Sequence, residues 1–90
     1  MGTALVKLKI MPVNPSVDLE VIKEKAKEII EKESDGIVNF EEEPVAFGLK
    51  AVIAGFAIDE SKQIDPIQDE VAEIEDVNSA EVSDFRRAFG

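Results

Sequence analysis

The sequence predicts an α+β fold in which two helices cover one face of a four-stranded antiparallel sheet. Three observations support this prediction. The spacing of apolar residues changes between that of a strand and that of a helix in the order βαββαβ. Both halves of the chain repeat one strand–helix–strand pattern. Of the 90 residues, 44% are hydrophobic, which is enough for one small core. Burying both helical stripes against one sheet gives a ferredoxin-like sandwich. Residues 1–90 are expected to form a single domain.

The first strand and the first helix are predicted from the spacing of their apolar residues. Residues 4–11 place apolar side chains at every second position, as in a half-buried strand. Across residues 18–33 the apolar side chains recur at spacings of three and four, which places them in one stripe of a helix. Ser16 and Asp18 are both suited to cap its first turn.

The second and third strands are predicted on either side of a short turn. Residues 37–43 form the second strand, and its run of three glutamates is typical of a sheet edge. Residues 44–48 make the connecting turn. Residues 49–58 are almost continuously apolar, which predicts a central third strand that is buried on both faces.

The second helix and the fourth strand complete the repeat. Asp65 is expected to cap the helix, with Pro66 at the first helical position and Gln68 completing a capping box. Residues 77–85 are predicted to form the fourth strand.

The residue types that are missing limit the possible functions. The chain has no histidine and no cysteine, so an imidazole base, a thiolate nucleophile and the usual zinc ligands are absent from its sequence. It also has no glycine-rich phosphate loop. We therefore expect no catalytic residues, no metal and no cofactor.

The net charge of −10 restricts the partners. Such a chain repels nucleic acid and anionic membranes, and it is attracted to a basic protein surface. The sequence contains no apolar run of about 20 residues and no secretion signal. A cytoplasmic protein is therefore expected.

Phe47 is the first candidate for a contact with a partner. It lies in the turn predicted between the second and third strands. An aromatic side chain that points outward from such a turn is a suitable anchor, because aromatic residues dominate binding hot spots. The alternative is that Phe47 covers the end of the small core. The residues alone leave both interpretations open.

Two arginines, Arg86 and Arg87, are the second candidate. They follow Phe85, the last residue of the predicted fourth strand, and they are expected to extend beyond the sheet with Phe89 close behind. Arginine can bind carboxylate or phosphate through two parallel hydrogen bonds, which suits the capture of a partner. The alternative is a frayed end that carries two solvated charges.

Two further candidates are weaker. The acidic residues at 41–43 and 69–76 lack the spacing and the glycine turn of a divalent-cation site, which favours a solvated surface. Phe40, Phe47 and Phe56 lie on or beside predicted strands, as do the aromatic residues of RNA-binding sandwiches. The negative charge argues against nucleic acid.

Two segments of the chain resemble the archaeal elongation factor 1-beta family. Residues 44–51, Pro-Val-Ala-Phe-Gly-Leu-Lys-Ala, are similar to its turn and third-strand entry, and residues 77–85, Val-Asn-Ser-Ala-Glu-Val-Ser-Asp-Phe, are similar to its terminal strand. The resemblance covers essentially the whole chain, and the length suits archaeal members that consist of the exchange domain alone.

The resemblance implies a nucleotide exchange factor without catalytic chemistry of its own. Its expected partner is the GTPase elongation factor 1-alpha, in the GDP-bound and nucleotide-free states, and the chain is expected to be a monomer. Phe47 would lie against the GTPase, while Phe85, Arg86 and Arg87 take the places of the family's Phe-Asn-Lys near the magnesium and phosphate site. Here arginine replaces lysine, and its larger, planar guanidinium suits pairing with the acidic residues that position the metal.

The alternative function is a regulatory or ligand-binding module that dimerises through its open sheet face. In that interpretation Lys7, Lys9 and the outward residues of the third strand form the interface. Such a module would be a stable dimer and would not accelerate GDP release.

Overall fold

The structure is a four-stranded antiparallel sheet with two helices on one face, as predicted. The computed structural model describes residues 2–34 and 36–88. Its elements, in chain order, are β1 (Thr3–Pro12), α1 (Leu19–Glu31), β2 (Asn39–Pro44), β3 (Lys50–Asp59), α2 (Asp65–Ala72) and β4 (Val77–Ala88). The strands lie in the order β2-β3-β1-β4, and each neighbouring pair is antiparallel. The ferredoxin-like prediction is confirmed, with most element ends shifted by one or two residues.

The core lies between the two helices and the face of the sheet that they cover. Alternate side chains of β1 and β3 point into it, because successive residues of a strand face opposite sides. These side chains pack against the apolar stripes of both helices, and the principal buried residues are Val6, Leu8, Ile10, Ile22, Ala26, Ile30, Val52, Ala54, Phe56, Ile58, Ile67 and Val71. Burying one such large apolar side chain contributes about 1.5–3 kcal/mol to folding.

The third strand is central in the sheet but is buried on only one face. It pairs with β2 on one side and with β1 on the other, so its central position is confirmed. Its helix-facing residues are buried, whereas Ile53, Gly55 and Ala57 are partly exposed on the opposite face. The predicted two-sided burial is therefore wrong, because no element covers that face among the described residues.

The first helix begins as predicted. The backbone N–H of Glu20 donates to Oδ1 of Asp18 over 3.0 Å, so Asp18 rather than Ser16 is the capping residue. The side-chain oxygen satisfies one of the N–H groups that the first turn leaves without a helical partner.

The second helix lacks the predicted capping box. It begins at Asp65 itself, one residue earlier than expected, and it has no side-chain cap. The amide oxygen Oε1 of Gln68 instead accepts a hydrogen bond from the backbone N–H of Val82 over 3.2 Å. Strand β4 lies at the edge of the sheet, where alternate N–H groups have no strand partner. Gln68 therefore ties the helix to this edge.

The fourth strand is longer than predicted, and this changes the description of the two arginines. β4 pairs with β1 as far as Ala88, and this pairing includes Leu5↔Arg86 and Ala4↔Arg87. The expectation that both arginines extend beyond the sheet was wrong, and so was the alternative of a frayed end. The physical reason is that β1 already begins at Thr3 and offers its first residues to β4 as pairing partners. Phe89 lies outside the described residues.

Candidate partner-binding site

The predicted contact residues lie at opposite ends of the sheet. The β2–β3 turn, which carries Phe47, lies beyond the last residues of β1, whereas Phe85, Arg86 and Arg87 pair with its first residues. At about 3.3 Å per residue, the length of β1 separates Phe47 from the arginines by about 25 Å. One strand therefore holds Phe85, Arg86 and Arg87 together, and the structure does not bring Phe47 to them.

The turn around Phe47 has an unusual backbone. Phe47 has φ 62° and ψ 30°, and Gly48 follows with φ 75°. The backbone N–H of Leu49 donates to the carbonyl oxygen of Ala46 over 3.3 Å. Positive φ at both central residues is the pattern of a type I′ hairpin turn, whose twist matches that of the strands it joins. Glycine adopts this conformation without strain, whereas a bulky residue such as phenylalanine seldom does.

The side chain of Phe47 points into solvent. It is 93% exposed, which is the highest value among the exposed large hydrophobic residues of the described chain. The left-handed backbone directs the ring away from the sheet instead of toward the core. The alternative that Phe47 covers the end of the core is therefore wrong, and the turn presents an aromatic ring on the surface.

Phe85 and the two arginines alternate between the faces of the sheet. Phe85 pairs with the buried Val6 and so lies on the helix-covered face, but it remains 47% exposed at the edge. Arg86 lies on the open face, and its Nε is 3.1 Å from Oδ2 of Asp84. Arg87 returns to the helix-covered face. The two guanidinium groups are therefore directed to different surroundings.

Arg87 is held loosely by a carboxylate at the end of β3. Its Nε lies 3.8 Å from Oε2 of Glu60, and the guanidinium is largely exposed. The backbone N–H of Glu60 donates to the carbonyl oxygen of Gly2 over 3.0 Å. A Cβ atom at Gly2 would lie 2.7 Å from the carboxylate of Glu60, so glycine leaves room for this side chain. Exposed ion pairs of this kind contribute about 0–1 kcal/mol.

A shallow groove crosses the open face of the sheet beside Arg86. Its volume is about 380 Å³. Its lining combines apolar side chains with a few charged and polar ones: Leu5, Val6, Lys7, Ile37, Asn39, Gly55, Phe56, Ala57, Asp84 and Arg86. No sequence pattern marks Ile37 as exposed. Asp84 and Arg86 are two residues apart in one strand, so their side chains lie on the same face.

The open face carries the predicted lysines but no aromatic platform. Lys7 and Lys9 lie on it, as expected from the alternation of β1. Phe56 is buried in the core and Phe40 packs against that core from the same side. The aromatic arrangement of RNA-binding sandwiches is therefore not formed by these residues.

A few other charged side chains form ion pairs or hydrogen bonds at the surface. Nζ of Lys23 lies 2.8 Å from Oε2 of Glu42 and 2.9 Å from Oε2 of Glu20. The hydrogen bond to Glu42, followed by that to Glu20, raises the pKa of Lys23, and the hydrogen bond from Lys23 lowers the pKa of Glu42. Hydrogen bonds from the backbone and side chain of Ser61 lower the pKa of Asp59. The Lys23–Glu42 pair joins α1 to β2, whereas the hydrogen bonds from Ser61 to Asp59 are local to the loop after β3.

Residues 2–34 and 36–88 contain no group of three or more acidic side chains placed to hold a metal ion. Neither helix in this part of the chain has the length and apolar character needed to cross a membrane.

Comparison with known proteins identifies the family. The model of the EF-1 guanine nucleotide exchange domain matches residues 5–88, which include the turn, the groove and both arginines. The chain belongs to the EF-1 guanine nucleotide exchange domain family. Elongation factor 1-beta of Methanocaldococcus jannaschii is 43% identical over 82 residues, which are 90% of this chain and 92% of that protein. The resemblance found in the two sequence segments is confirmed.

Other archaeal relatives agree. Elongation factor 1-beta of Methanococcus maripaludis strain C6 is 39% identical over 91% of this chain and 93% of its own length. The protein of the same name from Methanosphaera stadtmanae is 37% identical over 89% of this chain and 90% of its own length. This chain therefore spans nearly the full length of these relatives.

Proposed function

We propose that this chain is a guanine nucleotide exchange factor of translation elongation, which promotes the release of GDP from elongation factor 1-alpha so that GTP can rebind. The observation that carries the proposal is the match to the exchange-domain family over residues 5–88. Residues 1–90 act as a single exchange domain. The protein works as a monomer in the cytoplasm, where translation elongation takes place.

Exchange of this kind requires no chemical step by the factor. A protein that binds the nucleotide-free GTPase more tightly than the GDP-bound form must weaken GDP binding by the same factor, because the two equilibria are linked. A typical coupling of about 1–3 kcal/mol corresponds to a change of about 5- to 150-fold. The proposed activity therefore needs binding surfaces only, and it uses no catalytic residue, metal or cofactor of this chain.

The proposal assigns contacts with the GTPase to both ends of the sheet. At one end the exposed ring of Phe47 is an anchor, since aromatic residues dominate hot spots. At the other end Phe85, Arg86 and Arg87 are presented by a strand that is paired along its length with β1. Because the pairing fixes the backbone, the partner does not have to order a flexible segment when it binds.

Arg87 takes the position of the family's lysine in this proposal. Its guanidinium is largely exposed, and the one ion pair that it forms within residues 2–34 and 36–88, with Glu60, is long. Such a pair is weak and easily exchanged. Arg87 is therefore available to bind the acidic residues that position magnesium in the GTPase, which would destabilise the bound GDP.

The release of fluorescent GDP from elongation factor 1-alpha tests the proposal. Deleting residues 85 to 90 would remove part of β4, so single substitutions are the better test. Arg87→Gln should lower the rate of exchange by about 10- to 150-fold, which corresponds to the loss of one hydrogen bond to a charged group, about 1.5–3 kcal/mol. Arg87→Lys keeps the cation and should retain most of the rate. The matched control is Lys25→Gln, which makes the same charge change on the exposed side of α1.

The proposal fails if the unaltered chain leaves the rate of GDP release unchanged. The assignment of Arg87 alone fails if Arg87→Gln exchanges as fast as the Lys25→Gln control.

A further inference from the structure

The two arginines cannot perform the same task, because they lie on opposite faces of the sheet. Residues of a strand alternate between faces, and the pairing Leu5↔Arg86 and Ala4↔Arg87 fixes which face each arginine takes. Ala4 is buried under the helices, whereas Leu5 lies on the open face and is 49% exposed. Arg86 therefore belongs with the open-face groove and Arg87 does not.

The groove beside Arg86 has an exposed apolar floor. Ile37 is 82% exposed and Leu5 is 49% exposed, and both line the groove together with Gly55 and Ala57. Gly55 keeps the floor open, because its missing side chain leaves space between the flanking strands. Exposed aliphatic side chains that gather in one concave patch are typical of interaction sites.

The rim of the groove carries a positive charge that has no partner in the described part of the chain. Asp84 pairs with Arg86 over 3.1 Å, so these two charges largely cancel. Lys7 lines the same groove and forms no ion pair within residues 2–34 and 36–88. On a protein of net charge −10, a patch with spare positive charge is suited to a ligand that carries a carboxylate.

We propose that this groove docks a segment of the GTPase that presents an aliphatic or aromatic side chain next to a carboxylate. The apolar side chain would cover Leu5 and Ile37, and the carboxylate would pair with Lys7. Arg86 would contact the docked segment at the edge of the groove, whereas Arg87, on the other face of the sheet, would take no part in this contact. This inference rests on the proposed exchange function, and it names a surface that supplies affinity for the partner.

A second copy of the chain is a poorer occupant. Two copies, each with a net charge of −10, repel each other. A two-fold contact through this face would also place the same patch on both sides, and Lys7 would then meet no spare carboxylate there, because Asp84, the one acidic residue that lines the groove, is already paired with Arg86. The charges therefore favour the GTPase.

The test measures GDP release from elongation factor 1-alpha at increasing concentrations of the chain, which separates the half-saturating concentration from the maximal rate. The double variant Leu5→Thr/Ile37→Thr should raise the half-saturating concentration by about tenfold and leave the maximal rate unchanged. Val21→Thr, an apolar-to-polar change at an exposed site on α1, is the matched control. Thermal unfolding of each variant confirms that it is folded.

The charge is tested in the same way. Lys7→Glu should also raise the half-saturating concentration, and Lys25→Glu, with an identical change in net charge, should not. The inference is overturned if the groove variants bind as well as their controls, or if they lower only the maximal rate. It is also overturned if sedimentation shows a dimer that the double variant dissociates while exchange is unaffected. Absence of exchange by the unaltered chain would instead overturn the proposed function.

Discussion

Replacing Phe47 by asparagine should stabilise the protein. The backbone of Phe47 is left-handed, with φ 62°, and this conformation costs a residue with a Cβ atom about 1–2 kcal/mol. Asparagine tolerates it better, and Asn-Gly is a preferred sequence for this turn. The ring is 93% exposed, so little packing is lost. We expect the free energy of unfolding to rise by about 1 kcal/mol and the midpoint of thermal unfolding to rise by about 4–8 °C.

The same substitution should impair exchange. If Phe47 anchors the GTPase, its removal costs at least about 2 kcal/mol of binding, which corresponds to a rise of about 30-fold in the half-saturating concentration. A variant that is more stable and less active would indicate that the strained turn is kept for binding.

Thermal unfolding and the GDP-release assay on one preparation measure both effects. Asp76→Gly is the control, because Asp76 is the other described non-glycine residue with a positive φ, 71°; it should not lower stability and should leave exchange unchanged. A loss of more than about 1 kcal/mol in the free energy of unfolding of Phe47→Asn would disprove the strain at this turn, and an unchanged half-saturating concentration would disprove the contact of Phe47 with the GTPase.

Three further predictions concern stability, each measured by urea unfolding. Gly48→Ala should lower the free energy of unfolding by about 1 kcal/mol through backbone strain alone, because φ is 75° and an added Cβ meets nothing within 4 Å. An unchanged free energy of unfolding would contradict the strain expected at this position. Leu8→Ala should cost about 2–5 kcal/mol, because Leu8 is fully buried, and a cost below about 1 kcal/mol would contradict that packing. The lowered pKa of Glu42 implies stability that is present above the ordinary carboxyl pKa and is lost as the pH falls through the lowered value. Glu42→Gln should therefore narrow the difference in stability between about pH 7 and about pH 3, and an unchanged difference would contradict the Lys23–Glu42 pair.

The sequence was sufficient for the fold because local periodicity and tertiary burial agree. The apolar residues of β1 share one face only if the segment is a strand, and those of α1 share one face only if it is a helix. The local pattern and the burial in the fold therefore favour the same element in both segments. The two-sided burial predicted for β3 is wrong, because Ile53, Gly55 and Ala57 are apolar although they lie on the face that no helix covers in the described part of the chain. An apolar run does not reveal how many layers of the fold pack against it.

The candidate site was less predictable, because it depends on strand pairing and on turn geometry. The length of β4 is set by the start of β1, which lies more than 70 residues away in the chain, so no local pattern near Arg86 and Arg87 marks them as strand residues. The exposure of Phe47 depends on a left-handed backbone that the sequence signals only through the glycine that follows. Ile37 is exposed although the next residue, Val38, is buried, because Ile37 lies at the groove on the uncovered face of the sheet.

The most direct test of the proposed function is the rate constant for GDP dissociation from elongation factor 1-alpha, measured with and without a saturating concentration of this chain. We expect the rate constant to rise, because a coupling free energy of about 1–3 kcal/mol weakens GDP binding by about 5- to 150-fold and so raises the ratio of the dissociation to the association rate constant by the same factor. A rate constant that stays the same at every concentration of a folded chain would contradict the proposed function.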